Sequence, residues 1–149
     1  MRKMMYGVTF IELLVVMVIL AIVAAIGVPG YRQYIMRANR ADATTALLRI
    51  ATAQERFFIT NGAYATTNAL LTAAPPAGLG FPGTERGFYN LAVAPAAGGP
   101  AVGFIVTATA DAGERQADDA DCQSFTLNER GQRTAADGGG GDTTMDCWR

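Results

Sequence analysis

The sequence contains no histidine among its 149 residues. This absence excludes histidine as a general base, the catalytic dyads and triads that depend on it, and histidine as a metal ligand. Net charge is also nearly absent, because 12 basic and 13 acidic side chains leave a formal charge of −1. A protein that bound nucleic acid by general electrostatics would be basic. The composition therefore argues against most enzyme chemistry and against non-specific nucleic-acid binding.

Cysteine is scarce as well, with only Cys122 and Cys147 present. Two cysteines are too few for an all-cysteine structural zinc site. In an oxidising compartment they can form one disulfide, whereas in a reducing one they stay free thiols. The 24 residues between them include the run Gly138–Gly141, which is costly to order. Closing such a loop stabilises a fold by roughly 3–4 kcal/mol in the chain-entropy model.

Acidic residues crowd the region around the two cysteines, and the aspartates there are Asp118, Asp119, Asp121, Asp137, Asp142 and Asp146. Carboxylates are the ligands that calcium prefers, but the spacing of these residues is not that of an EF-hand loop. We therefore expect solvated loop acids at these positions. The sequence predicts neither a bound metal nor another cofactor.

The chain does contain one long apolar run, Val8–Val28, in which only Thr9 and Glu12 are polar. At about 1.5 Å per residue, this run forms a helix of roughly 30 Å, which matches the hydrocarbon core of a bilayer. The run is too long for the apolar part of a secretory signal peptide. Because Arg2 and Lys3 precede it, the positive-inside rule places the N-terminus in the cytoplasm.

Glu12 does not fit a plain signal anchor, which is the simplest alternative, because an ionised carboxylate inside a spanning segment is costly and marks a functional hypothesis. The stretch Gly7-Val8-Thr9-Phe10-Ile11-Glu12 resembles the processing site of type IV prepilins. In that family a short basic leader ends in Gly, a Glu lies five residues later, and a long apolar helix follows. The resemblance implies cleavage after Gly7 and N-methylation of Val8, which stands where the family usually has Phe.

Three further segments carry the same resemblance. Gly27–Tyr34 resembles the family's segment after the apolar run, and Phe57–Tyr64 resembles the end of the pilin helix. Cys122–Asn128, together with the late Cys147, resembles the C-terminal cysteine loop of the family. The resemblance also implies a role for Glu12, whose carboxylate would neutralise the N-terminal amine of a neighbouring subunit in the filament core.

Periodicity in the rest of the chain predicts an α+β fold. An apolar stripe at three- and four-residue spacing continues the helix, and its members are Ala43, Leu47, Ile50, Ala53 and Phe57. Asn61-Gly62 is a helix stop. Three segments are predicted as strands: Gly87–Ala94, Val102–Ala110 and Ser124–Asn128. We expect a long N-terminal α-helix packed on a three- or four-stranded antiparallel sheet, with a C-terminal disulfide loop.

The predicted division of the chain begins with a leader at residues 1–7, a transmembrane and filament-core helix at 8–28, and an amphipathic helix at 29–62. A globular head follows at residues 63–149. The head contains a connector at 63–86 and the cysteine loop at 122–147.

The resemblance implies a structural subunit of a type IV pilus, of the type IVa kind and a minor pilin, which supports twitching motility and adhesion and is not an enzyme. Its partners would be other pilin subunits, a prepilin peptidase and the inner-membrane assembly machinery, with nucleic acid not expected. Before assembly it would span the bacterial inner membrane once, and afterwards it would lie in a fibre on the cell surface. The alternatives are a pseudopilin of a type II secretion system and a competence pilin that takes up DNA.

Overall fold

A computed structural model describes residues 8–148, with only the backbone at Pro29. The chain forms two compact units, which divide between Ile35 and Met36. The first helix, α1, runs over Phe10–Asn61 and so begins in the first unit and ends in the second. Gly7, the last residue of the predicted leader, lies outside the described residues.

The described part of the first unit is the N-terminal portion of α1. Its backbone remains helical through Gly27 and Gly30. Every described side chain from Val8 to Gly30 is exposed. This portion of α1 therefore has no apolar core of its own, although its residues are almost all apolar.

The second unit is an α+β domain. Its elements after α1 are α2 (Asn68–Thr72), β1 (Tyr89–Pro95), β2 (Phe104–Ala110), a 3-10 turn (Arg115–Asp118), β3 (Ser124–Asn128), β4 (Arg133–Ala136) and α3 (Thr144–Cys147). The four strands form one antiparallel sheet in the order β1-β2-β3-β4. This architecture confirms the predicted long helix packed on a sheet.

The core lies between α1 and one face of the sheet. Ala43, Leu47 and Ile50 of the predicted stripe are fully buried, while Ala53 and Phe57 are half-buried at its edge. The facing sheet residues are Phe104, Val106, Ala108, Phe125 and Leu127. They alternate along β2 and β3 because successive strand residues point to opposite faces. The helical and strand periodicities of the sequence thus meet in a single core.

The end of α1 is fixed by backbone and side chain together. The helix ends at Asn61, and Gly62 follows with φ of 70°, a left-handed conformation that glycine adopts without strain. Gln54, which is fully buried, then holds the returning chain. Its Nε2 donates to the Ala65 carbonyl at 2.6 Å, and its Oε1 accepts from the Ala65 N–H at 2.9 Å. These two hydrogen bonds give the buried N–H and carbonyl of Ala65 the partners that buried polar groups need.

Among the short elements that the sequence did not predict are α2 and β4. The helix α2 is only five residues long and lies in the connector, where Thr67 caps it by accepting the Leu70 N–H at 3.3 Å. β4 has four residues, of which only Ala135 is buried. Neither element carries enough apolar periodicity to be recognised, because each is held in place by its neighbours and not by its own pattern.

Both edges of the sheet are obstructed. On β1, the Val93 N–H is bound by the Asn68 side chain at 3.1 Å, and Pro95 has no N–H to offer. On β4, both backbone groups of Ala135 are occupied. Its N–H donates to Thr144 Oγ1 at 2.9 Å, and its carbonyl accepts from the Thr143 N–H at 3.0 Å. Edges covered in this way resist pairing with another chain.

The segment that covers β4 is held by the disulfide between Cys122 and Cys147, whose Cα atoms are 5.8 Å apart. The bridge therefore joins the entry to β3 with the last helix, and it confirms the disulfide that the sequence predicts. Both cysteines are buried.

Replacing Cys147 with serine is expected to lower the free energy of unfolding by about 3–4 kcal/mol, because the open chain gains the entropy of the released loop. Urea unfolding in detergent, followed by the fluorescence of the only tryptophan, Trp148, measures the loss. Cys122→Ser is the matched control and should give the same loss. Two reactive thiols in unreduced wild-type protein would contradict the bridge.

Candidate functional site

The N-terminal end of α1 carries a reciprocal pair of hydrogen bonds between Thr9 and Glu12. The Glu12 N–H donates to Thr9 Oγ1 at 3.3 Å, and the Thr9 N–H donates to Glu12 Oε2 at 3.5 Å. Thr9 precedes the first helical residue, Phe10, so this is a capping box. It provides partners for two backbone donors that a helix start otherwise leaves without one.

The capping box also sets where the Glu12 carboxylate lies. An N3 side chain that reaches back to the N-cap is turned toward the start of the helix, beside Val8. The positive end of the helix dipole favours a carboxylate at this place. The role of Thr9 was not predicted from the sequence, although the spacing Thr9-x-x-Glu12 is itself a capping signature. Gly7 lies outside the described residues, so the structure places Val8 and Glu12 but not the predicted cleavage point.

The apolar surface that follows is large and uncovered. The side chain of Phe10 is 82% exposed and that of Ile26 is 76% exposed. A window of 18 residues within α1 has a mean hydropathy of 3.0 and is 0% buried. The helix is therefore long and apolar enough to cross a membrane. An exposed apolar surface of this extent requires lipid or other helices to cover it.

In the second unit, a buried ion pair fastens α1 to the turn before the cysteine loop. Arg40 donates from Nε and Nη2 to the two carboxylate oxygens of Asp119, each at 2.7 Å. Gln116 adds a bond from its Nε2 to Asp119 Oδ2 at 2.9 Å, and the same Nε2 reaches the Met36 carbonyl at 3.3 Å. A bidentate pair of this kind fixes orientation as well as charge.

The pKa values of two groups at this site, Arg40 and Tyr89, are raised. The bond to Asp119 raises the pKa of the Arg40 guanidinium above its usual value, despite partial burial. Burial raises the pKa of the nearby Tyr89 hydroxyl, and the Asp119 charge raises it further. The phenol therefore stays neutral and the guanidinium stays charged. The sequence predicts Asp119 to be one of the solvated loop acids, whereas the structure buries it against Arg40.

Two other aspartates of the predicted acidic region hold loop backbone. Asp137 Oδ1 accepts from the N–H groups of Gly139 and Gly141 at 2.8 and 2.7 Å. Asp142 Oδ1 accepts from both the hydroxyl and the N–H of Thr144, which lowers the pKa of this carboxyl. Among residues 8–148, no group of three or more acidic or cysteine side chains is arranged to hold a metal ion.

The polar N–H and the large apolar ring of the indole explain the place of Trp148. Its Nε1 donates to the Thr134 carbonyl at 2.8 Å, so the polar end of the ring has a partner. The ring meets Phe125 edge-on with centroids 5.9 Å apart, and the Arg133 guanidinium lies 5.3 Å from the ring centroid. Trp148 thus seals the end of the core beside β4.

Two known protein families match this chain, one at its N-terminus and the other over most of the remaining residues. Residues 2–28 match the prokaryotic N-terminal methylation motif. Residues 29–126 match the family described as type IV minor pilin ComP, DNA uptake sequence receptor. The chain belongs to this type IV minor pilin family. Its apolar N-terminal helix fits membrane anchoring before assembly, and pilin subunits and a prepilin peptidase are the partners that the motif implies in general.

Among solved structures, this pilin is similar to a type IV pilin from Shewanella oneidensis. The two are 28% identical, the alignment covers 66% of this chain and 89% of the other, and the TM-score is 0.45. The family assignment rests on the sequence matches and takes nothing from this superposition. No match is found among curated proteins.

Replacing Asp119 with alanine is expected to lower the free energy of unfolding of this pilin by about 3 kcal/mol, because it leaves the Arg40 guanidinium half-buried without its counter-ion. Asp118 is adjacent and exposed, so Asp118→Ala is the matched control and should stay within about 0.5 kcal/mol of wild type. Urea unfolding of both variants in detergent gives the comparison. Equal stabilities would show that the ion pair contributes nothing to the fold.

Proposed function

We propose that this chain is a minor pilus subunit that is cleaved after Gly7, N-methylated at Val8 and polymerised through α1. The observation that carries the proposal is the Glu12 carboxylate, which accepts the Thr9 N–H one residue after Val8, at the start of an uncovered apolar helix. The match of residues 2–28 to the N-terminal methylation motif supports the same processing. In the assembled fibre, Glu12 of one subunit pairs with the Val8 amine of its neighbour.

The physical reason for this pairing lies in the medium that surrounds the helices. In a bundle of apolar helices the effective dielectric constant is low, and an unpaired charge there is costly. Cleavage creates an ammonium group at Val8, and Glu12 supplies the only carboxylate of the apolar run. A neighbour placed at the wrong height would leave both charges without partners. The pair therefore sets the axial register more than it adds net stability.

Each segment of the chain has its own role in this proposed function. Residues 1–7 are the leader, 8–28 form the transmembrane and filament-core helix, and 29–62 form the amphipathic helix that carries the head. The head occupies residues 63–149 and includes the connector at 63–86 and the cysteine loop at 122–147. The chain spans the inner membrane with its N-terminus in the cytoplasm, and the assembly machinery then moves it into a surface fibre.

Glu12 has two roles in this proposal, which are to cap the helix and to pair its charge with a neighbour. Replacing it with alanine would remove both roles at once. Glutamine at position 12 can still accept the Thr9 N–H, so it keeps the cap but removes the charge. Alanine removes both. If charge pairing with a neighbour is the essential role, Glu12→Gln and Glu12→Ala should fail equally in assembly.

We expect Glu12→Gln to be inserted and cleaved normally but to enter fibres poorly, with yield reduced about tenfold or more, because a buried ammonium loses its partner. Immunoblots of sheared fibres measure incorporation, and intact-mass spectrometry of the membrane fraction measures leader removal and N-methylation. Thr9→Ser is the control, since serine also caps and leaves the charge in place. Normal fibre incorporation of Glu12→Gln would refute the charge-pairing role.

A second candidate function is DNA uptake, because the family that matches residues 29–126 is described as a DNA uptake sequence receptor. The charge of the head does not favour general phosphate binding. From residue 63 to residue 149 there are five arginines, no lysine and ten acidic side chains. Binding to DNA would therefore depend on base contacts or on a local cluster of arginines and not on overall charge.

An electrophoretic mobility-shift assay with the detergent-solubilised chain tests this second function. Specific binding predicts that one duplex sequence shifts at physiological salt while an unrelated duplex of equal length does not. Deletion of the chain in its host, scored for DNA uptake, surface fibres and protein secretion, completes the test. Loss of secretion alone would instead identify a pseudopilin.

A further inference from the structure

The backbone becomes helical only two residues after the proposed cleavage point. Val8 and Thr9 are not helical, and α1 begins at Phe10. The Leu13 N–H donates to the Thr9 carbonyl at 3.2 Å, so Thr9 is the N-cap of the helix. Val8, the residue that carries the new N-terminus after cleavage, therefore lies outside the helical hydrogen bonds.

Peptide hydrolysis needs a backbone that is outside a helix. The amide that is cleaved must present its carbonyl to water, whereas a helix engages each carbonyl in a hydrogen bond four residues along the chain. Where opening is fast, the rate of cleavage follows the population of the open conformation. Hydrolysis between residues 7 and 8 adds one water across the amide, so the leader keeps the new carboxylate and Val8 gains the amine. A helix that starts after Val8 favours this step.

The apolar run alone does not determine where its helix starts. In lipid, a later start would leave additional backbone N–H groups in hydrocarbon without partners, which is costly. An earlier start is cheaper, because it moves the unpaired N–H groups toward the basic leader and water. Thr9 opposes this extension, since an N-cap residue is itself non-helical and its hydroxyl accepts the Glu12 N–H. Glu12 strengthens the cap by accepting the Thr9 N–H.

We propose that Thr9 is a positioning residue for leader removal. As the N-cap it stops α1 at Phe10, and it thereby keeps Val8 in a non-helical conformation for the peptidase. This inference rests on the proposed function, because it concerns the same cleavage. Thr9 acts through the conformation of the backbone and not through contact with the peptidase, so any side chain that caps the helix should serve at this position.

Substitutions at position 9 separate capping from direct recognition of the hydroxyl. Valine has nearly the shape of threonine but lacks the acceptor, so it removes the cap. Serine and asparagine both cap a helix, although asparagine has no hydroxyl. Pulse-chase labelling of the full chain in membranes of its host gives the rate of leader removal, and intact-mass spectrometry identifies the cleaved product.

We expect Thr9→Val to lose its leader about fivefold more slowly than wild type, because loss of a typical N-cap changes the open population by about this factor. Thr9→Ser and Thr9→Asn should stay within about twofold of the wild-type rate. An unchanged or faster rate for Thr9→Val would overturn the inference. Cleavage of Thr9→Asn as slow as that of Thr9→Val would also overturn it, because the peptidase would then recognise the hydroxyl itself.

A proline at position 10 blocks extension of the helix without any capping side chain. Proline fits the first helical position and disfavours a helical conformation at the residue before it. In the Phe10→Pro background, Thr9→Val should therefore slow cleavage less than about twofold relative to Phe10→Pro alone. Slowing by about fivefold in both backgrounds would show direct contact between Thr9 and the peptidase, and it would overturn the inference.

Hydrogen exchange of the uncleaved chain in detergent gives a readout that does not involve the peptidase. NMR of chain labelled with ¹⁵N-valine follows the exchange of the Val8 N–H with solvent. This exchange should be about fivefold slower in Thr9→Val than in wild type, because an extended helix protects the group. Equal exchange in the two chains would overturn the inference. A wild-type chain that stays uncleaved in membranes where another prepilin is processed would instead refute the proposed function.

Discussion

The arrangement of this molecule depends on an apolar helical surface that its own chain does not cover. The N-terminal portion of α1 exposes nearly continuous hydrocarbon, from Phe10 to Ile26, and water cannot be its lasting environment. Lipid can cover it in the membrane, and the same portion of other subunits can cover it in a fibre. Both environments exclude water, so the transfer between them changes the neighbours of the helix without exposing the apolar surface to solvent.

The head contacts the C-terminal half of α1 through apolar packing and through the hydrogen bonds of two polar side chains. Leu47 and Ile50 supply the apolar contact with the sheet. Gln54 forms two hydrogen bonds with the backbone of Ala65 near the end of the helix. Arg40, near the first residues of the second unit, forms an ion pair with Asp119. Apolar contacts are tolerant of sliding, whereas hydrogen-bonded groups require fixed positions. The attachments therefore keep the surface features of the head at fixed heights along the helix.

The sequence allowed the fold class and the helix stop at Asn61-Gly62 to be predicted, because periodicity and glycine chemistry act locally. The disulfide was predicted from the presence of only two cysteines and from the resemblance of the segments that contain them. β4 escaped prediction, since its position depends on β3 and on the segment after Thr143. At the candidate site, Glu12 was recognised because an ionised carboxylate inside an apolar run is energetically costly. Its hydrogen bonds with Thr9 could be identified only from the structure. Asp119 could not be separated from its exposed neighbours, because its partner Arg40 is distant in sequence.

The covered edges of the sheet have a consequence for how such a fibre comes apart. Asn68 and Pro95 block one edge, and the segment held by Cys147 blocks the other. No backbone ladder can therefore run from head to head, as it does in amyloid. If the chain polymerises as proposed, subunits joined by helix packing and side chains would separate without breaking backbone hydrogen bonds between heads.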